Sequence, residues 1–112
     1  MAHRLIPSSV RETFGGVADA FADYTEQVLF GDLWRREQLS LRDRSLLTVS
    51  ALVAGGTPEQ LPFHLRLAQE NGLSGEELAE AITHLAFYAG WPRAANALTV
   101  LRQVLESQRS AE

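Results

Sequence analysis

The side chains able to move a proton or hold an anion are few in this chain. His64 and His84 are the two histidines that fall inside helical patterns, and His3 stands apart near the N-terminus. An imidazole titrates near neutrality, so each can serve as acid, base or neutral donor. Glu80 precedes His84 by four residues, on one side of a helix, where a carboxylate can orient the ring. Tyr88 follows one turn later, and Trp91 ends the stretch. Arg42 and Arg44 lie in the first turn of one helical pattern and Arg93 in that of another, and a guanidinium fits a carboxylate or phosphate with two parallel bonds. By residue type and spacing the set describes a candidate His/Glu/Tyr pocket, but no particular reaction. Each member has an ordinary reading too. A histidine on an apolar face is commonly a satisfied core residue. Glu80 and His84 as an exposed pair contribute a few tenths of a kcal/mol. A surface arginine is commonly solvated or ion-paired. His64, His84 and Glu80 would give a nitrogen and oxygen ligand set, but no HExxH-like spacing supports it, so no metal is assigned.

What is missing narrows the chemistry further. The chain has no cysteine, which excludes thiol catalysis, disulfides and thiolate metal sites. All ten basic residues are arginine, which removes Schiff-base chemistry through a lysine. No glycine-rich phosphate loop and no nucleophile elbow occur. The formal charge of −4, with no basic cluster beyond Arg35-Arg36, argues against nucleic acid. No apolar run is long enough to span a membrane. The start, MAHRLIPSSVRETF, lacks a signal-peptide core, so the expected location is the cytoplasm.

These residues need helices to position them. The 112 residues suffice for one domain, 1–112, with an arm at 1–8 and a frayed tail at 107–112. Ser8 or Ser9 can cap a first helix reaching about Leu29, interrupted at Gly15-Gly16. Phe30 to Gln38 reads as a connection anchored by Leu33 and Trp34. Ser40 can cap a second helix that is apolar on nearly every side from Leu46, hence buried almost all round. Thr57 to Gln60 has capping-box spacing and opens a third helix that carries Leu61, His64, Leu65 and Ala68 inward. Ser74 and Glu77 repeat that spacing at the head of the helix bearing Glu80, His84 and Tyr88. Leu78, Ile82, Leu85, Ala86 and Ala89 form its core face, while Glu80, His84, Phe87 and Tyr88 share the other. A solvated face seldom carries so many rings, so this one should line a pocket or a subunit contact. Gly90 can end the helix, and Pro92 opens the last one. With no period-two alternation, the chain reads as an all-α bundle of about five to six helices.

Two long segments carry a family resemblance. FGDLWRREQLSLRDRSLLTVSALVA and LPFHLRLAQENGLSGEELAEAITHLAFYAGWPRAANAL resemble the carboxymuconolactone decarboxylase family, within the alkylhydroperoxidase-D-like superfamily. The likeness runs from about Tyr24 to Leu105. It implies an alkylhydroperoxidase-D-like all-helical fold, assembly into homo-oligomers (trimers or hexamers), and pockets at or near subunit contacts. The peroxidase branch of the superfamily uses the pattern E-x11-C-x2-C-x3-H. Set on His64, that pattern falls on Ser45, Thr57 and Gln60, so only the histidine survives and thiol peroxidase activity should be absent. RDRSLLT and YAGWPRAAN follow the decarboxylase branch, whereas PFH before Leu65 departs from its RMH-like text.

The resemblance implies loss of CO2, without a cofactor, from a small carboxylated lactone of the 4-carboxymuconolactone type, in aromatic-compound catabolism. On that reading His64 and His84 are the acid and electrostatic groups and Glu80 orients. Arg44 and Tyr88 contact carboxylate and carbonyl, and Trp91 forms a wall. Two alternatives stay open: a related cofactor-free lyase or isomerase acting on another small acid, and a non-catalytic oligomeric binding module.

Overall fold

The structure is a computed structural model, and it describes residues 9–110. His3, the arm at 1–8 and the candidate cap Ser8 lie outside them. Among the described residues every regular element is helical, and the protein is all-α. The chain divides into two compact units, Met1–Leu41 and Arg42–Glu112.

In the first unit, α1 (Ser9–Phe14) and α2 (Asp19–Asp23) are separate pieces. The glycine pair at 15 and 16 does break the apolar pattern, with Gly16 at positive φ. A π-helical turn, Tyr24–Leu29, follows, and then a short 3-10 turn, Leu33–Arg35. Arg11 binds the carboxylates of Glu26, at 2.9 and 3.1 Å, and of Asp23. These bonds, led by Glu26, hold the guanidinium pKa above its ordinary value. Phe14 meets Phe21 edge to face at 4.8 Å, and the rings of Phe30 and Trp34, both buried, lie 5.6 Å apart. Phe21, Tyr24, Val28, Leu29 and Leu33 remain exposed along an apolar groove of about 350 Å³.

The second unit holds α3 (Leu41–Gly55), α4 (Leu61–Glu70), α5 (Gly75–Ala89) and α6 (Trp91–Ser110). Its core joins Val49 and Val53 of α3 to Leu61 and Leu65 of α4, Leu78 and Ile82 of α5, and Ala94, Ala97, Leu101 and Val104 of α6. Ala94 and Ala97, at the start of α6, are buried in this core. Burying one Leu or Ile side chain in such a core contributes roughly 1.5–3 kcal/mol.

Four local expectations meet different outcomes. The cap of α5 is as read: Glu77 N–H donates to Ser74 Oγ at 3.0 Å, and Ser74 N–H donates to Glu77 Oε1 at 2.9 Å. The capping box at Thr57 does not form. Thr57 Oγ1 instead donates back to the Leu52 carbonyl at 3.2 Å, satisfying the end of α3, and Pro58–Gln60 is a 3-10 turn before α4. Nor is α3 buried all round: Ser45, Val49 and Val53 are buried, but Leu47 is 60% exposed. Apolar composition on every side did not distinguish a packed face from an open one. Finally, residues 107–110, expected to fray, continue α6 to Ser110. There Gln108 Nε2 donates to Gln69 Oε1 at 2.8 Å and ties the last turns to α4.

Candidate functional site

The Ser74 cap and the glycine at its far end fix α5 as one rigid rod of four turns. Gly90 leaves that rod at φ +110°, a conformation closed to most residues, and so re-aims the chain into Trp91 and α6. Glu77 does double duty: its Oε2 also accepts from Arg42 Nη2 at 2.6 Å, joining the first turns of α3 and α5. The hydrogen bond from Ser74 N–H leads in lowering the Glu77 pKa, and Arg42 adds to it. Beside this pair, Asn71 Nδ2 donates to the buried Ser45 Oγ at 3.0 Å. The sequence offered Arg42 as a candidate cation but not its pairing with Glu77, and it did not single out Asn71, because each partner lies many residues away.

His64 stands on α4, half-buried, with Nδ1 out of reach of solvent. The Phe63 ring meets it edge to face at 5.0 Å. Burial lowers the imidazole pKa, so His64 is neutral at neutral pH. A neutral imidazole in such a place can donate one hydrogen bond and accept another. Arg44, on α3, is also half-buried and engaged within the protein.

The α5 face is different in kind. Glu80 and His84 are exposed, and no hydrogen bond joins them among the described residues. The His84 ring stacks instead on Tyr88, with centroids 5.0 Å apart and planes at 26°. The ring contact of His84 is thus with the phenol. Phe87 meets Trp91 edge to face at 6.1 Å. Phe87, Tyr88 and Trp91 are 78%, 80% and 66% exposed. The structure therefore brings His84, Tyr88 and the Phe87–Trp91 pair onto one open surface, and sets His64 on another helix in a drier place. Among the described residues no three histidine, aspartate or glutamate side chains group to hold a metal ion. No helix among them is long and apolar enough to cross a membrane.

The profile of the carboxymuconolactone decarboxylase family matches residues 19–103, most of the chain and nearly all of its helical part. The chain belongs to this family. Its fold is accordingly the all-helical, alkylhydroperoxidase-D-like one, without the cysteines. A 4-carboxymuconolactone decarboxylase from Acinetobacter baylyi is 34% identical over 86 residues, which are 77% of this chain and 64% of that protein. A nitrosuccinic acid decarboxylase from Metarhizium robertsii is 33% identical over 76 residues, 68% of this chain and 53% of that protein. An uncharacterized 15.0 kDa protein from Paracoccus denitrificans is 31% identical over 80 residues, covering 70% and 60% of the two chains. The chain thus spans less than two thirds of the length of each relative.

Proposed function

We propose that the chain, as one carboxymuconolactone decarboxylase-like domain over 1–112, is a cofactor-free carboxy-lyase acting on a small carboxylated lactone. The similarity to a 4-carboxymuconolactone decarboxylase carries this reading, and the neutral, half-buried His64 supports it. In such a reaction the bond to the carboxylate breaks and CO2 leaves. The electron pair passes into the conjugated lactone carbonyl as an enolate, and a proton then returns to carbon. Three tasks follow for the protein: to hold the retained carboxylate, to stabilise the enolate oxygen, and to deliver the proton. A neutral imidazole suits the second, since its N–H donates without being spent. That task falls to His64. His84 is the proton donor, with Glu80 close along the helix. Arg44 holds a carboxylate, Tyr88 contacts the carbonyl, and Trp91 forms a wall.

The exposed α5 rings support assembly into a homo-oligomer, a trimer or hexamer, in which another copy covers that face. A lactone substrate of this type suits work in aromatic-compound catabolism, and the cytoplasm is the setting expected from the sequence. Two other readings have a specific observation behind them. The nitrosuccinic acid relative favours a different small acid as substrate. The open aromatic face favours a non-catalytic binding module in which Phe87, Tyr88 and Trp91 are contact hot spots.

CO2 release from 4-carboxymuconolactone and from nitrosuccinate separates these readings. Wild-type turnover of the lactone is expected, with large losses in His64→Ala and His84→Ala. Turnover of neither compound above buffer would sink the decarboxylase reading. Full activity in both variants would remove the histidines from the site.

A further inference from the structure

Arg93 was singled out by its place in the first turn of α6, and the reaction above gives it no task. The structure shows how it is held. Its Nη1 donates to the Ala54 carbonyl in the last turn of α3. Carbonyls there lack partners within the helix and carry partial negative charge, which suits a guanidinium. The opposite edge of the guanidinium, Nε with Nη2, makes no hydrogen bond among the described residues. Gly56 keeps that edge uncovered. A Cβ at position 56 would stand 3.4 Å from Nε and 3.8 Å from Nη2, and the residue's φ of +70° favours glycine there. Beside Arg93 is a small cavity of about 30 Å³, lined also by Thr57, Pro58, Leu61 and Asn96. That volume takes one carboxylate oxygen, so in a two-point contact the second oxygen would stay at the cavity's mouth. Leu61 lies one turn before His64 on α4.

Anchored at one nitrogen and open along the side-on fork, Arg93 is already arranged for bidentate contact. Little side-chain entropy remains to be lost when an anion arrives. Asn96, three residues on and facing the same cavity, adds an amide donor. We infer that the Nε–Nη2 edge of Arg93, with Asn96, is a carboxylate-anchoring site for a small organic acid. The inference rests on the reading of the chain as acting on small acids, and it adds Arg93 to Arg44 as a cation for the substrate's carboxylates.

Succinate is a suitable probe, with uncharged succinamide as control, followed by isothermal titration and by the arginine Nε–Hε resonances in a labelled sample. Wild type should bind succinate but not succinamide, with the Arg93 resonance shifting. Arg93→Lys keeps a cation for the Ala54 carbonyl but loses the fork. It should bind succinate at least tenfold more weakly with a helical melt close to wild type, while Arg66→Lys, at an exposed position of α4, binds as wild type. An Arg93 resonance unmoved by succinate, equal binding of succinamide, or unchanged affinity in Arg93→Lys would overturn the site. Turnover of 4-carboxymuconolactone separates the two readings. If wild type is inactive but succinate still moves the Arg93 resonance, the decarboxylase reading falls and this site stands. If wild type is active and Arg93→Lys changes neither KM nor succinate affinity, the site falls and the reaction stands. The expected result is a raised KM with kcat little altered.

Discussion

His64 is the residue on which the chemistry and the pH behaviour of the fold meet. Its imidazole is half-buried against Phe63, and burial alone lowers its pKa. In the unfolded chain the same ring titrates near its ordinary value of about 6.5. Between the lowered value and that one, the unfolded state binds more protons than the folded state. Stability therefore rises with pH across this window. The contribution is complete above pH 7 and is lost as pH falls below about 6.5 toward the folded value. Urea midpoints measured from pH 7.5 to 5 should show this slope in wild type, and His64→Gln should flatten it. An unchanged slope in the variant would mean that the ring is not desolvated. If neutral His64 stabilises the enolate, kcat should also hold down to pH values below 6.5, farther than an exposed imidazole would permit. The sequence supplied His64 as a candidate through its helical position. It could not tell a desolvated ring from a solvated one, because burial depends on Phe63 and the surrounding core. For His84 the visible neighbour was Glu80, yet Tyr88 is the residue that touches it.

At the scale of elements, the head of α5 carries the most specific set of contacts. Ser74 and Glu77 cap each other, and Arg42 reaches Glu77 from α3. Ser74→Ala removes one side of the box and should lower stability by about 1 kcal/mol in denaturant titrations. A change within error would mean that water replaces the cap without loss. Glu77 adds an acid dependence of opposite origin to that of His64. Its pKa is lowered in the fold, first by Ser74 N–H and then by Arg42. Its contribution is present above the ordinary carboxylate value of about 4.5 and disappears as pH falls through the lowered value. Glu77→Gln should therefore lose stability at pH 7 and little near pH 3. Caps with local partners were legible in the sequence, as Ser74 and Gly90 show. The cap predicted at Thr57 failed because the hydroxyl had a competing acceptor, the Leu52 carbonyl, that spacing alone does not reveal. The continuation of α6 to Ser110 was missed for a similar reason. It depends on Gln108 meeting Gln69, 39 positions away.

At the scale of the whole molecule, the all-helical class and the order of its elements were legible because apolar periodicity and loop punctuation agree. Which apolar faces stay open was not legible, since helices that are apolar on several sides look alike in sequence whether or not a neighbour covers them. Leu47 makes the point on α3, and Phe87, Tyr88 and Trp91 make it where α5 gives way to α6. An aromatic side chain presents roughly 150–250 Å², so these three rings, about three-quarters exposed, leave about 450 Å² open. The groove of Phe21, Tyr24, Val28, Leu29 and Leu33 adds a second apolar surface. A monomer's largest patch is typically about 300–600 Å², so a chain of this size bearing two such surfaces should self-associate. Specific interfaces bury at least about 1,200 Å² in total, and two copies joined through rings of this size reach that once the polar rim is included. Sedimentation velocity over a hundredfold range of concentration should show a discrete oligomer with little free monomer. The double variant Tyr88→Glu with Trp91→Glu places charges on solvent-facing positions, so it should keep its helical signal. It should nevertheless sediment as a smaller species, because each buried carboxylate would lack a partner at the contact. If the decarboxylase reading also holds, lactone turnover should fall with the oligomer and recover in neither single variant that remains dissociated. A wild type that stays monomeric throughout would leave the α5 face without a covering copy, and would move Tyr88 and Trp91 out of any enclosed site.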